Sequence, residues 1–373
     1  MNLEQGICLE EALEGYDFGG EVAGALRYGS GHINDTFAVY VQKSDGEAAR
    51  FILQRINTVV FKDPQGVMEN IVGVTQYLKK VIEQNGGDPA REALYVVPTK
   101  AGKYIFEDSC GGVWRCYVFI EGTICLQKVE NPQHFYASAL GFGKFMRQLS
   151  GYPAATLHET IRQFHDTPNR FQNFKKALET DALGRAAGVQ QEIDFVLARE
   201  KDCSILTDKL AKGELPLRVT HNDTKLNNIL IDEKTGEGLC IIDLDTIMPG
   251  LSLYDYGDSI RFGASTATED EPDLTKVHFD VDLFDIYTKG YLEAAGSALT
   301  AEEKRCMPWG AKLMTLECGM RFLTDYLEGD TYFKIHRENH NLDRCRTQFR
   351  LVKEMEEQWD KMNSIVAKYD KYR

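Results

Sequence analysis

No stretch of this chain approaches the roughly 20 consecutive apolar residues that a membrane-spanning helix needs. The opening residues, M-N-L-E-Q-G-I-C-L-E-E, lack a basic segment followed by an apolar one, so no secretory signal is read and a cytoplasmic location is expected. Paired cysteines are missing too. The nine Cys contain no C-x-x-C, and the eight His do not cluster with them. That argues against a zinc site and predicts reduced, mostly buried thiols. Positive charge is scarce: 43 Lys and Arg face 57 Asp and Glu, for a net charge of −14. Nucleic acid and anionic membranes both reward basic patches, so neither is expected as a partner. There is no internal repeat and no low-complexity tract. What remains is 373 residues, 43% hydrophobic and 27% charged, an ordinary globular composition. The length exceeds one small core and predicts two lobes, divided near residue 120.

The stretch from Val219 to Asp245 organises the rest. Two apolar runs, Ile229–Ile231 and Leu239–Ile242, flank the turn-rich Glu233–Gly238, which predicts a hairpin. His221-x-Asp223-x-x-x-x-Asn228 precedes it, and Asp243 ends the second run. Asp and Asn favour turns, so a lone Asp–Asn pair beside a hairpin is ordinarily structural. The full ordered set fits phosphoryl transfer from ATP, which needs a carboxylate to orient an acceptor hydroxyl and oxygen ligands for magnesium. On that reading Asp223 is the base, and Asn228 and Asp243 hold Mg²⁺. Asp255 and Asp258 follow closely, and Asp255 is read as a backbone-anchoring carboxylate supporting the catalytic loop.

The first 120 residues look strand-rich with one strong helix. Leu26 to Val41 predicts a hairpin with Gly29-x-Gly31 at its tip, where backbone amides approach phosphates closely. Glycine pairs are also common in hairpin turns without a ligand. Phe51–Arg55 follows as a strand. Kinase lobes place a phosphate-binding Lys on such a strand; here Gln54 and Arg55 stand there, on opposite faces. Arg55 is the candidate cation, but which of the two faces the nucleotide stays open. Pro64–Gln84 is an amphipathic helix with Met68, Ile71, Val72, Thr75, Leu78 and Ile82 on one face. Its Glu69 either pairs with the basic strand residue or is a solvated first-turn acid. The segment 114–122, with Phe119 and Glu121, reads as a last strand and adenine-binding hinge. Beyond it the pattern is helical over 132–149, 181–212, 307–327 and 346–366. Residues 266–273 (T-A-T-E-D-E-P-D) read as a solvated acidic loop.

H-N-D-T-K-L-N-N, I-I-D-L-D-T-I-M-P-G and Y-D-Y-G-D-S-I-R-F-G-A together resemble the aminoglycoside phosphotransferase superfamily. G-S-G-H-I-N-D-T-F, F-I-L-Q-R-I-N and the late D-T-Y-F-K…H-N-L-D-R-C-R-T-Q are similar to its N-acetylhexosamine 1-kinase branch, over residues 29–348. The resemblance implies an α+β, protein-kinase-like fold with a small β-rich N-terminal lobe (1–120) and a large helical C-terminal lobe (121–373). It implies transfer of the ATP γ-phosphate to the anomeric hydroxyl of N-acetylglucosamine or N-acetylgalactosamine. It assigns Asp223 as base, Asn228 and Asp243 as metal ligands, and Arg321 and Tyr332 as sugar contacts. A structural ion pair and a packed ring are the competing readings of those last two. Other kinases of the same fold, acting on an aminoglycoside, choline or homoserine, remain alternatives, as does a non-catalytic pseudokinase.

Overall fold

The alternation of Phe37, Val39 and Val41 and the apolar run around Leu53 put one side of each strand into a common core, and that core builds the first of two units. The computed structural model describes residues 7–29 and 33–370. Helix α1 (Leu9–Glu14) is followed by strands β1 (Gly20–Arg27), β2 (Asp35–Lys43) and β3 (Ala48–Ile56). Helices α2 (Pro64–Gln84) and α3 (Pro89–Glu92) come next, then β4 (Val96–Val97), β5 (Phe106–Glu107) and β6 (Val113–Val118). The sheet runs β1-β2-β3-β6-β4, with β5 also on β6, and every pairing is antiparallel. Phe37, Leu53, Trp114 and Cys116 on one face pack with Leu9, Ala12, Tyr16 and Phe18. Helix α2 starts where Asp63 accepts a hydrogen bond from Gly66 N–H and ends at Asn85, as its residue pattern predicts.

This unit comprises residues through Thr123 together with 156–161 and 240–248. Its two later segments had no signature in the sequence, because membership depends on contacts far apart in the chain.

The second unit is mostly helical. It begins within β7 (Thr123–Cys125) and continues through α4 (Pro132–Gln148), α5 (Thr167–Thr180), α6 (Gln190–Leu197), α7 (Ile205–Ala211) and β8 (Arg218–Thr220). Strand β9 (Ile229–Asp232) opens the expected hairpin, with the Asp232 N–H donating to the Glu237 carbonyl at 2.9 Å before β10 (Gly238–Ile241). Strand β11 (Met248–Gly250) leads into α8 (Ser252–Gly263), α9 (Val281–Ala295), α10 (Ala301–Arg305), α11 (Met307–Glu328), α12 (His340–Glu357) and α13 (Trp359–Tyr369). The core joins Phe135, Tyr256, Phe284, Leu316, Leu323 and Val352.

Three expectations need correction. The single helical pattern over 181–212 is two short helices joined by one 3₁₀ turn and preceded by another; Asp181 and Gly184 take positive φ there, and Leu197 is left exposed. The last helix, expected over 346–366, breaks at Gln358. The cysteines are not all reduced: Cys8 on the lead-in to α1 is bonded to Cys110 in the β5–β6 turn, and the other seven are free. Among the described residues no helix is long and apolar enough to cross a membrane.

Candidate active site

The second unit carries the candidate catalytic loop. Thr220 ends β8, and the chain then turns sharply: Asn222 takes φ +66°. Asp255, in the first turn of α8 and 5% exposed, anchors that turn by accepting from the His221 N–H (2.9 Å) and the Asn222 N–H (2.7 Å). This is the role read for it from sequence. Asp258, one turn later, accepts from the Thr224 N–H at 3.0 Å, and the Thr224 hydroxyl donates to the Asp255 carbonyl at 2.5 Å. Ser259 Oγ closes the set on the Thr224 carbonyl at 2.8 Å. Two carboxylates, a backbone carbonyl and one hydroxyl from a single helix therefore fix the loop on which Asp223 sits.

Both oxygens of Asp223 are engaged. Lys225 Nζ lies 2.7 Å from Oδ1, and Asn228 Nδ2 lies 3.0 Å from Oδ2 and 2.8 Å from the Asp223 carbonyl. Burial disfavours the charged carboxylate, but Lys225, with His221 and Arg261 adding to it, outweighs that and holds Asp223 below the usual carboxylate range. The side chains of Asp223 and Lys225 are each about a third exposed. With its nitrogen turned to Asp223, Asn228 has its amide oxygen left as a donor atom, and a hard oxygen suits Mg²⁺.

Sequence reasoning missed Lys225, although its place two residues after Asp223 was visible. It also missed the support behind it. Arg261 is 5% exposed and bonds Asp258 at 2.9 Å and Glu269 at 2.6 Å. Glu269 belongs to the acidic loop expected to be solvated; Arg261 holds it, and its carbonyl accepts from the Thr347 hydroxyl at 2.5 Å. Asp270 of the same loop meets His340 at 3.0 Å.

Arg321 and Tyr332 are brought together. The Arg321 guanidinium lies 5.4 Å from the Phe164 ring centroid, 5.4 Å from Phe333 and 5.9 Å from Tyr332. Tyr332 is 64% exposed, but its backbone is pinned. Asp325 accepts from the N–H groups of Thr331, Tyr332 and Phe333 at 2.7–2.9 Å. Arg170 is close enough that burial and the Arg321 charge together depress its pKa. This wall connects to the loop of Asp223 through His165, whose ring is tilted against Phe164 (4.6 Å between centroids) and which bonds Glu317 at 2.8 Å and reaches the Asn222 carbonyl at 3.4 Å.

The first unit carries Asp243 and the candidate nucleotide residues. Asp243 adopts the left-handed conformation (φ 59°, ψ 56°), a choice that costs a non-glycine residue about 1–3 kcal/mol and persists only where neighbours enforce it. Asp245 is tied to Arg115 by an ion pair and accepts from Asn34 Nδ2 at 2.6 Å. Further on, Asn70 of α2, 2% exposed, donates to the Ile247 carbonyl at 2.9 Å and to the His158 carbonyl at 2.8 Å.

The strand register places Gln54 beside Thr36 and Arg115, on the face of Asp245. Arg55 lies opposite Asp35 and Trp114, on the α1 face, where it lines a pocket with Ile33, Asp35, Asn57 and Gly112. The face near Asp243 and Asp245 is thus the face of Gln54, and Arg55 points away from it. Glu69 pairs with His158 at 2.7 Å and Gln65 at 2.9 Å, not with a strand cation. Arg50 stacks 3.8 Å from the Phe119 ring and holds both Glu121 carboxylate oxygens through its Nε and Nη2, while Arg91 donates to the Glu121 carbonyl at 3.1 Å. Gly29 takes φ +78° with open space around it; Gly31 lies outside the described residues.

Among solved structures the chain is similar to a microcompartment-associated aminopropanol kinase (14% identity, 95% of this chain and 98% of that one, TM-score 0.60). It is similar to an amicoumacin kinase in complex with AMP-PNP and Ca²⁺ (15% identity, 95% and 94% covered, TM-score 0.56). A choline kinase from Cryptosporidium parvum Iowa II also matches (14% identity, 92% of each chain, TM-score 0.55). At these identities the likeness speaks for the fold. The sequence profile of a known family matches residues 25–290, more than half of the chain and every element of the catalytic loop. The protein belongs to the phosphotransferase enzyme family known as APH.

Proposed function

We propose that this phosphotransferase moves the γ-phosphoryl group of ATP to the C1 hydroxyl of an N-acetylhexosamine, N-acetylglucosamine or N-acetylgalactosamine. The observation supporting this acceptor is the Arg321 wall. Among the described residues the Arg321 guanidinium makes no hydrogen bond or ion pair; the rings of Phe164, Tyr332 and Phe333 surround it, the Glu317 carboxylate interacts with it electrostatically, and Arg170 adds a second positive charge. Guanidinium offers donors and no acceptors. Sugar hydroxyls and an acetamido carbonyl supply acceptors and carry no positive charge. Choline and aminopropanol bear an ammonium group that two guanidiniums repel, which disfavours the second reading, an amino-alcohol or aminoglycoside acceptor.

In the proposed reaction Asp223 orients the acceptor hydroxyl and takes its proton. Lys225 keeps Asp223 ionised and thereby makes it a weak base, suited to receiving the proton late, after the bond to phosphorus has largely formed. That order fits the loose transition state of phosphoryl transfer. Mg²⁺, when bound, neutralises charge on the phosphate oxygens, and Asn228 and Asp243 are the residues proposed to hold it. Gly29, Gly31, Phe119 and Glu121 are proposed at the nucleotide. Arg55 lies on the opposite face of the sheet and Glu69 pairs with His158 and Gln65, so neither is placed at the nucleotide by a contact.

An ADP-release assay over a panel of acceptors tests this reading. Turnover is expected with N-acetylhexosamines and Mg·ATP, and none with choline, aminopropanol or an aminoglycoside. Turnover on an ammonium alcohol alone overturns the acceptor assignment. No ADP from any acceptor, with no thermal shift from Mg·ATP, overturns the kinase reading itself.

A further inference from the structure

Gln54 occupies the strand position where a phosphate-binding Lys is expected, and the structure gives it a different partner. Its amide nitrogen donates to Thr36 Oγ at 3.0 Å, and its amide oxygen accepts from Arg115 Nε at 3.0 Å. Arg115, on the neighbouring strand β6 and 1% exposed, turns its far edge to Asp245. Asp245 takes a second bond from Asn34, whose own side-chain oxygen accepts from the Asn57 N–H at 2.9 Å. A line of contacts thus runs Thr36–Gln54–Arg115–Asp245–Asn34–Asn57 across three strands and passes, at Asp245, through the turn that carries Asp243. Asn70 holds the same turn at Ile247.

Arg115 is too deeply buried to reach a nucleotide while it holds Asp245. Its electrostatic partner is the Asp243–Asp245 turn, in which Asp243 takes φ 59° two residues before the carboxylate that Arg115 holds. We propose that Arg115 is a positioning residue that sets Asp243 for metal through Asp245, and that Gln54 exists to hold Arg115 rather than to bind phosphate. The proposal rests on Asp243 being a metal ligand. A Lys at position 54 has no acceptor for Arg115 Nε–H and sets a second positive charge beside it. Restoring the usual kinase residue therefore harms this chain.

The test is calorimetric binding of ATP as a function of Mg²⁺, with thermal unfolding recorded in parallel. Asp243→Ala is the control and should abolish the Mg²⁺ enhancement of ATP binding. Gln54→Glu is isosteric and keeps the fold by pairing with Arg115, but it competes with Asp245 for that guanidinium. Asp245→Asn keeps the Asn34 contact and weakens the ion pair. Both should leave metal-free ATP affinity within about twofold of the native value and raise the Mg²⁺ midpoint by about tenfold or more, the scale seen when groups supporting a metal ligand are changed. Gln54→Lys should do the same and lower the unfolding temperature. A native Mg²⁺ midpoint in folded Gln54→Glu and Asp245→Asn, with Asp243→Ala impaired, overturns the proposal. So does loss of the metal response in Asp245→Asn alone, which makes Asp245 a ligand in its own right. An unaffected Asp243→Ala instead removes the metal assignment on which the proposal stands.

Discussion

Replacing Asp255 isolates the support of the catalytic loop from its chemistry, because Asp255 touches two backbone N–H groups of that loop and is buried behind it. Each hydrogen bond to a charged acceptor contributes about 1.5–3 kcal/mol, so Asp255→Ala forfeits about 3–6 kcal/mol of interaction. Burial pushes the Asp255 carboxyl pKa up, meaning its charge is itself held at a cost, which offsets part of that loss. A net destabilisation of about 2–4 kcal/mol is expected for Asp255→Ala, against a typical total of about 5–15 kcal/mol. Asp255→Asn keeps one acceptor oxygen and carries no buried charge, so about 1–2 kcal/mol is expected. The second unit supplies its own probe. Trp309 and Trp359 stand 4.8 Å apart within it, and the chain's other tryptophan, Trp114, belongs to the first unit and is removed by Trp114→Phe. Urea unfolding followed by tryptophan fluorescence then gives the loss directly. Turnover should fall more steeply than stability predicts, by about 100-fold in Asp255→Asn, because a shift of about 1 Å in a reacting group has that effect. If Asp255→Ala unfolds within about 0.5 kcal/mol of the native protein and turns over normally, the anchoring argument fails, since an unpaired buried N–H alone costs about 1–3 kcal/mol.

Asp223→Asn should bind Mg·ATP normally and lose about 10²–10⁴-fold in kcat, the usual contribution of general-base assistance; near-native turnover removes Asp223 as base. Arg321→Ala should lower kcat/KM for the sugar by about 10–100-fold, from ~1.5–3 kcal/mol for a charged hydrogen bond, with the KM for ATP unmoved. A fall in unfolding temperature with sugar kinetics intact makes Arg321 a structural residue. Burial raises the cost of charge on Glu317, but His165 and the Thr167 hydroxyl outweigh it and hold its pKa below the ordinary carboxylate value. Its folded value is therefore depressed, so its contribution is complete above the unfolded value of ~4.3 and is lost as pH falls through the folded one. The unfolding-temperature gap between the native protein and Glu317→Gln should be constant near neutrality and close below about pH 4; a gap unchanged down to pH 3 refutes this.

The parts of the fold that were legible are those written locally. Helix α2 carries its cap, its stripe and its stop in one continuous stretch, and the hairpin after Asn228 carries its turn residues between two apolar runs. The H-x-D…N…D order survives into the structure as one anchored loop and one turn. What stayed hidden depends on pairing across long separations. Nothing near Arg115 announces Asp245, although a single Arg inside W-R-C-Y-V-F was a visible oddity: a buried charge requires a partner somewhere. Gln54 and Arg55 were told apart only by strand register, which alternation alone does not orient. Glu269 looked solvated because its partner, Arg261, sits on the polar stripe of a helix whose other neighbours were unknown.

The make-up of the first unit also sets a timetable for its synthesis. Arg115 leaves the ribosome about 130 residues before Asp245, and at ~5–20 residues per second that interval lasts about 7–26 s. Throughout it, strand β6 holds a guanidinium destined for burial with its carboxylate not yet made, and α2 holds Asn70 with the Ile247 carbonyl still to come. The nascent sheet therefore waits half-finished while much of the second unit is translated. A chain cut at residue 123 inherits that unfinished state permanently, and a stop codon anywhere before 245 should yield a first unit that chaperones and proteases treat as unfolded.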